Sequence, residues 1–247
     1  MIRIVVPMGG DGRQFQERGY TFPKPLVEVG GQPLIELVVR NLTPDEPHQF
    51  VFVCRREHVQ KYALADVLRL IAPGCAIVTM HQPTAGALCS VLLALEHLNT
   101  DDELVIANAD QWIDTPIDAF LAAARGSGWD GGIMTFPNTH PRWSYARLEN
   151  DRVVAVAEKQ PISRHATVGI YYFRRGAAFL AAAERMLLKN ASVAGEFYVA
   201  PVYNEFILDG LAVGHFPIGA ADMHGLGTPE EVERFQSRLD AAPHASC

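Results

Sequence analysis

"IRIVVPMGGDGRQFQERGYTFPKPL" (residues 2–26) sets a β-branched apolar run against three glycines within four positions, and it closes on a lysine between two prolines. The run at 2–6 has the texture of a strand buried on both faces. Glycines directly after a first strand let backbone N–H groups approach an anion, because no Cβ intervenes. Gly9, Gly10 and Gly12 are therefore a candidate nest, with Arg13 beside them as a bidentate phosphate contact. The spacing matches neither of the two standard phosphate-loop patterns, so a flexible turn and a phosphate cradle are both open at this point. Pro23 and Pro25 hold the backbone around Lys24 extended, which presents its ammonium with little entropy loss; a solvated lysine in a rigid loop is the alternative.

Working outward, strand-like and helix-like segments alternate. "PLIELVVRNL" (33–42) is helical in pattern, "FVFVC" (50–54) a strand, 57–71 a helix, "CAIVTM" (75–80) a strand, "AGALCSVLLALEHL" (85–98) helical, and "ELVIANAD" (103–110) a strand ending in a carboxylate. This spacing predicts βαβ units and a mostly parallel sheet. In "TPIDAFLAAARGSG" (115–128), Thr115 is the expected N-cap, Pro116 the first helical residue and Gly126 the stop. Beyond Gly131 the texture changes to four strand-like runs, "GGIMTF", "SYARLEN", "RVVAVAEK" and "TVGIYYF", with "ENDR" (149–152) as a hairpin turn. Helices at 176–189 and around 197–209, a strand at 211–218, a helix from Pro229 and a loose tail "AAPHASC" complete the expectation. The chain is read as one domain, residues 1–247, with a nucleotide-binding half (1–130) and an acceptor-binding half (131–240).

Composition narrows the function. Of 247 residues, 21 are Lys or Arg and 28 Asp or Glu, a net charge of −7 without any basic cluster, which argues against duplex nucleic acid as a partner. No apolar stretch approaches the roughly 20 residues of a membrane span, and the N-terminal run is too short for a signal peptide. A cytoplasmic protein is expected. Cys54, Cys75, Cys89 and Cys247 lack CxxC spacing and read as reduced thiols.

The glycine loop and "FPKPL", followed in order by "QPTAGALCSVL" (82–92), "IANADQW" (106–112), "WSYARLENDRVVAVAEKQPIS" (143–163), "TVGIYYF" (167–173) and "GLGTPEEVERF" (225–235), resemble the sugar-phosphate nucleotidyltransferase family. The resemblance implies a Rossmann-like three-layer α/β/α fold around a mostly parallel mixed sheet. It also implies a Mg²⁺-dependent enzyme that joins an NTP to a small phosphorylated acceptor and releases pyrophosphate. Carried onto this chain, Gly9, Gly10 and Gly12 cradle the triphosphate, and Lys24 contacts the reacting phosphates. Gln82 and Gly86 read the base, Asp110 holds Mg²⁺, Glu158 accepts hydrogen bonds from the acceptor and Lys159 pairs with its phosphate. Tyr145, Trp112 and Trp143 are candidates for the acceptor pocket or for the core. The stretch at 195–210 adds Glu196, Tyr198, Tyr203 and Asn204 on the acceptor side. A homo-oligomer is compatible with the apolar face of 176–188.

Two departures stand out. The family loop carries arginine where this chain has Gln14, with Arg13 one position early. Where a second metal-binding aspartate is common, this chain has Gly225, leaving Asp222 as the nearby carboxylate. Glu158 and Lys159 would face opposite ways in a regular strand, so both reach one site only if a bulge or bend re-aims one of them. Three alternatives follow: a non-sugar acceptor such as a phosphocholine-like or amino-acid-like phosphate, a nucleotide-binding sensor with weakened catalysis, and a glycosyltransferase. The last would usually carry a D-x-D pair, where "NAD" offers only Asp110.

Overall fold

The computed structural model describes residues 1–241; the tail with Cys247 lies outside the described residues. Strand β1 (Ile2–Met8) leads through the glycine loop into a short helix α1 (Arg13–Glu17). A small β2/β3 hairpin (Glu28–Val29, Gln32–Pro33) and α2 (Leu34–Leu42) then return the chain to β4 (His48–Arg55). The expected helix at 57–71 is two, α3 (Arg56–Tyr62) and α4 (Leu64–Ile71), broken where Ala63 takes a left-handed φ of 51°. Next come β5 (Ala76–Met80), α5 (Ala87–Leu92), α6 (Leu95–Leu98), β6 (Glu103–Ala107) and β7 (Gln111–Ile113).

Helix α7 (Ile117–Gly126) is preceded by Pro116 as its N-cap, so neither Thr115 nor any other side chain caps it. Its stop is Gly128 rather than Gly126: at φ 66°, Gly128 donates to Arg125 O while Trp129 donates to Ala124 O, a Schellman ending. The second half builds β8 (Gly131–Pro137), β9 (Ser144–Glu149), β10 (Arg152–Glu158) and β11 (His165–Phe173). Between β9 and β10, Asn150 and Asp151 both have positive φ (50° and 60°), as a two-residue type I′ hairpin requires. Helices α8 (Gly176–Leu188) and α9 (Tyr203–Leu208), strands β12 (Val213–Pro217) and β13 (Met223–Gly225), and α10 (Pro229–Ala241) finish the described chain.

One nine-stranded sheet runs in the order β5-β4-β1-β6-β11-β8-β12-β10-β9. The pairings β5–β4, β4–β1, β1–β6 and β8–β12 are parallel, and β11 and β10 run against the others. Side-chain alternation divides the core into two layers. Ile2, Ile4 and Val6 of β1 with Phe50 and Phe52 of β4 pack beneath α2, α4, α7 and α10, while Val5, Val51 and Val53 face α5, α8 and α9. This is the three-layer α/β/α arrangement with a mostly parallel mixed sheet.

The order of the sheet positions the site. From β1 the chain builds outward through β4 and β5, then crosses back to place β6 on the other side of β1. The loops after β1 and β6 diverge at that switch point and leave a crevice at the carboxyl ends of the strands, where open α/β sheets bind ligands.

Candidate active site

The crevice has two lobes. The first, about 610 Å³, is lined by Met8, Gly9, Gly10 and Asp11 after β1, Lys24, Arg55 at the end of β4, Met80 at the end of β5, Thr84 and Gly86 before α5, and Glu196. The second, about 360 Å³, is lined by Gln111, Arg142, Trp143, Ser144, Glu158, Lys159, Thr167, Tyr171, Tyr198 and Glu231. Ala87, Asn108 and Asp110 belong to both, so the lobes meet at the carboxyl end of β6.

Lys24 opens a single 3₁₀ turn, Lys24–Leu26, after extended Pro23. Its Nζ donates to Asp110 Oδ2 at 2.7 Å, and both side chains are partly shielded. Gly9 is held by space, since a Cβ there would sit 2.9 Å from Met80 Sδ, and Gly12 by conformation, with φ 63°. Arg13 is exposed and pairs with Asp11 at 3.2 Å. With Gln14 it lines a shallow extension of the crevice that also includes Lys24 and Gly227.

Gly86 lines the first lobe, but the close approach it permits is to protein: at φ 107°, an added Cβ would lie 2.4 Å from Phe197 O and 2.7 Å from Phe197 N. Two hydrogen bonds, Phe197 N to Ala85 O and Leu88 N to Phe197 O, clamp the two segments together. Gln82 is not among the lining residues of this lobe. It sits in a small recess beside it with Arg56 and His81, so the expected base-reading amide lies at the rim.

The second lobe answers the question of Glu158 and Lys159. A bulge at Val154 shifts the β9/β10 register, so Glu158 faces Ser144, whose hydroxyl donates to Glu158 Oε2. Lys159 then takes a left-handed φ of 54°, and both side chains turn into the lobe. Burial pushes the Glu158 carboxyl above its ordinary pKa, against the pull of the Ser144 hydrogen bond and the Lys159 charge. Lys159 donates to the Tyr198 hydroxyl, which donates to Glu196, and this hydrogen bond holds the Lys159 pKa above its ordinary value.

A second irregularity shapes the floor. β11 has three residues between Thr167 and Tyr171 where β8 has one between Thr135 and Ile133, with Gly169 at φ 92° in the middle of the three. A Cβ on Gly169 would meet Asn108 Nδ2 at 2.2 Å and Gln111 Oε1 at 2.7 Å, so the glycine makes room for both amides. Thr167 and Tyr171 come together below them, their hydroxyls 3.0 Å apart, and burial raises the Tyr171 pKa to about 12. Gln111 is buried and its Nε2 has no partner.

Several expected residues lie elsewhere. Tyr145 is fully buried, its hydroxyl donating to His140 O at 2.6 Å, and it forms core rather than acceptor surface. Asp222 is not among the lining residues of either lobe: its carboxylate accepts from Gly219 N at 3.0 Å and closes its own turn. Tyr203 is core, donating to Gly132 O and Tyr172 O, and the Asn204 amide clasps both backbone groups of Val156. Trp112 packs on Phe235, whereas Trp143 does line the second lobe. Glu231 and Arg142, joined at 2.7 Å, are lining residues that the sequence did not single out.

A glycine loop and a lysine–aspartate pair thus sit at the switch point of a mixed α/β sheet and open onto a polar second lobe. The chain belongs to the MobA-like NTP transferase domain family, whose profile matches residues 4–193. Among solved structures it is similar to a nucleoside-diphosphate-sugar pyrophosphorylase from Vibrio cholerae RC9, at 26% identity and TM-score 0.79 over 96% of this chain and 100% of that one. It also shares its fold with the inositol-1-phosphate CTP transferase of T. maritima (15% identity, TM-score 0.72, 99% and 98% covered). The UTP-bound UGPase of Acinetobacter baumannii is another such neighbour (16%, TM-score 0.73, 99% and 95% covered). A search of curated proteins returns no match. Among the described residues, no helix is long and apolar enough to cross a membrane.

Proposed function

We propose that this protein is a Mg²⁺-dependent nucleotidyltransferase that couples an NTP to the phosphate of a small polyhydroxylated acceptor, a sugar 1-phosphate or similar molecule. The products are an NDP-activated compound and pyrophosphate. The observation that carries the reading is the meeting of two lobes at Asp110 beside Lys24. An acceptor phosphate in one lobe and a nucleotide in the other would bring nucleophile and α-phosphorus together there.

An acceptor phosphate oxygen attacks the α-phosphorus, the bond to the bridging oxygen of the β-phosphate breaks, and pyrophosphate leaves with that electron pair. The nucleophile is already ionised at neutral pH, so no general base is required of the protein. Its task is positioning and neutralisation of charge. The loop N–H groups and Lys24 would hold the triphosphate, and Lys159 and Arg142 the acceptor phosphate. The donor set suits Mg²⁺, which takes hard oxygens and keeps part of its water shell; Asp110 would hold it, and it would neutralise charge on the reacting phosphates.

The second lobe favours hydroxyls over a quaternary ammonium. Glu158, Ser144, Thr167, Tyr171 and Gln111 supply hydrogen-bonding groups around its floor. Two aromatic rings in its wall already carry cations of the protein itself, Arg142 at 4.3 Å from the Trp143 ring centroid and Lys159 at 4.6 Å from that of Tyr198. A phosphocholine-like ligand needs free aromatic faces.

The test is pyrophosphate release with Mg²⁺, each common NTP being paired with a panel of sugar 1-phosphates, inositol 1-phosphate and phosphocholine. Sustained turnover on one polyol phosphate supports the reading. Turnover on phosphocholine alone would overturn the acceptor class, and NTP binding without turnover on any acceptor would favour a sensor.

A further inference from the structure

We propose that Glu231, in the first turn of α10, is the second carboxylate of the divalent-cation site, taking the place of the side chain that Gly225 lacks. The inference rests on the metal-dependent reading above and adds a residue to it.

Three observations converge. A Cβ built on Gly225 would lie 2.8 Å from Cδ, Oε1 and Oε2 of Glu231, so the Glu231 carboxylate fills the space into which a residue at 225 would project. A Cβ on Gly227 would lie 3.2 Å from Asp110 Oδ2 and 3.4 Å from Glu231 Oε2, so both carboxylates border the same residue. The Gln111 amide, which pairs in register with Gly225 and is 3% exposed, lines the same lobe with its Nε2 unpartnered. As an N–H donor it is left for an oxygen acceptor of a ligand in that lobe.

Glu231 also has a local role. Its Oε2 accepts from Gly227 N at 2.9 Å and Thr228 N at 3.2 Å, while its own N–H donates to Thr228 Oγ1, a capping box at the start of α10. That role occupies Oε2 and fixes the carboxylate's position. It leaves Oε1 engaged only by Arg142, a half-exposed side chain that a cation or an incoming phosphate can displace. Asp222 lines neither lobe and so is not placed to serve instead.

The experiment separates cap from ligand. Glutamine can also occupy the third helical position of a capping box, so Glu231→Gln keeps the helix start and removes the charge. Mn²⁺ alone is titrated into the full chain, free ion being counted by electron paramagnetic resonance. Glu231→Gln is expected to weaken binding by about tenfold or more while its melting temperature stays at the wild-type value. Asp222→Asn is expected to bind as wild type. The double variant Glu231→Ala with Gly225→Asp, which puts a carboxylate back at 225 and opens the space for it, is expected to recover affinity relative to Glu231→Ala. Wild-type Mn²⁺ affinity in Glu231→Gln overturns the proposal and leaves the residue a cap. Asp110→Asn tells the two failures apart: if it abolishes binding while Glu231→Gln does not, only Glu231 is misassigned. If neither matters, or the wild type binds no Mn²⁺, the metal reading falls with it.

Discussion

Replacing Lys24 with methionine should move two measurements in opposite directions. The Lys24 ammonium lies 2.7 Å from Asp110 Oδ2, with the side chains 21% and 30% exposed. Any cation that Asp110 holds must first displace it. A charge-assisted hydrogen bond contributes about 1.5–3 kcal/mol, and partial solvent exposure brings this pair to the low end, about 1.5 kcal/mol. Lys24→Met should therefore tighten Mn²⁺ binding by about tenfold. Turnover should fall by about 10²-fold or more, because a preorganised cation at the reacting phosphates is gone. The assays are Mn²⁺ titration and pyrophosphate release at saturating substrate, with a melting curve to show that the fold survives. Lys24→Arg keeps the charge on a planar fork that cannot reproduce the point contact, and should recover little turnover. Wild-type turnover in Lys24→Met, or weaker Mn²⁺ binding, would refute the idea that the lysine is held in reserve by the metal-binding carboxylate.

Other perturbations test the rest of the crevice. Gly86→Ala forces a Cβ against the Phe197 backbone at a left-handed φ, a cost of about 3 kcal/mol that should lower the melting temperature by about 6–12 °C; a shift under about 2 °C would contradict it. Gly169→Ala should push Asn108 and Gln111 out of place and raise the acceptor KM while leaving the NTP KM near wild type, a split that steady-state kinetics reads directly. The raised pKa of Glu158 means that the folded state holds that proton more tightly than the unfolded chain does. Its stabilising contribution is present below the unfolded glutamate pKa of about 4.3 and is lost as pH rises through the folded value. Glu158→Gln should thus gain stability relative to wild type between acid and neutral pH in denaturant melts, and the opposite trend would count against a buried carboxylate. Chelating divalent ions should abolish turnover and weaken NTP binding in calorimetry, whereas equal affinity with and without Mg²⁺ would argue for a cleft that needs no metal.

The alternation of apolar segments was enough to expect an α/β sheet and to put Asp110 near the carboxyl end of a strand, because both depend on local pattern; the strand order and the pairing of Lys24 with Asp110 come from the structure. What escaped depends on irregularity. A regular hairpin closing at Asn150–Asp151 would put Glu158 opposite Trp143; the bulge at Val154 moves it to Ser144, and nothing in "RVVAVAEK" announces that extra residue. Likewise "ATVGIYYF" shows a glycine but not that it leaves room for two amides or brings Thr167 and Tyr171 together. Tyr145 reads the same in sequence whether it faces a pocket or the core, and its place is decided by which face of β9 the register turns inward. Glu231 was hidden by its own sequence context: "TPEE" at a helix start reads as a capping box, and it is one. Only the close approach to Gly225 on β13 points to the second use proposed for it.

The charges around the crevice explain why its departures from the family pattern need not disable it. Five carboxylates, Asp11, Asp110, Glu158, Glu196 and Glu231, face five cations, Arg13, Lys24, Arg55, Arg142 and Lys159. Such a cleft, in a chain of net charge −7, offers a free triphosphate no net attraction, since steering needs an excess of one sign. Three of the cations are held on carboxylates: Arg13 on Asp11, Lys24 on Asp110 and Arg142 on Glu231. Phosphates arriving with a divalent ion would change that balance, because a carboxylate that held the metal, as proposed for Asp110, would release its cation to a phosphate. In this proposed exchange Asp11, within the loop itself, would be the counter-ion that holds Arg13 until a triphosphate took its place. On that reading a guanidinium one residue early would suffice, given a loop that lets it swing. Arg13, exposed and following a left-handed Gly12, is in a position to do so.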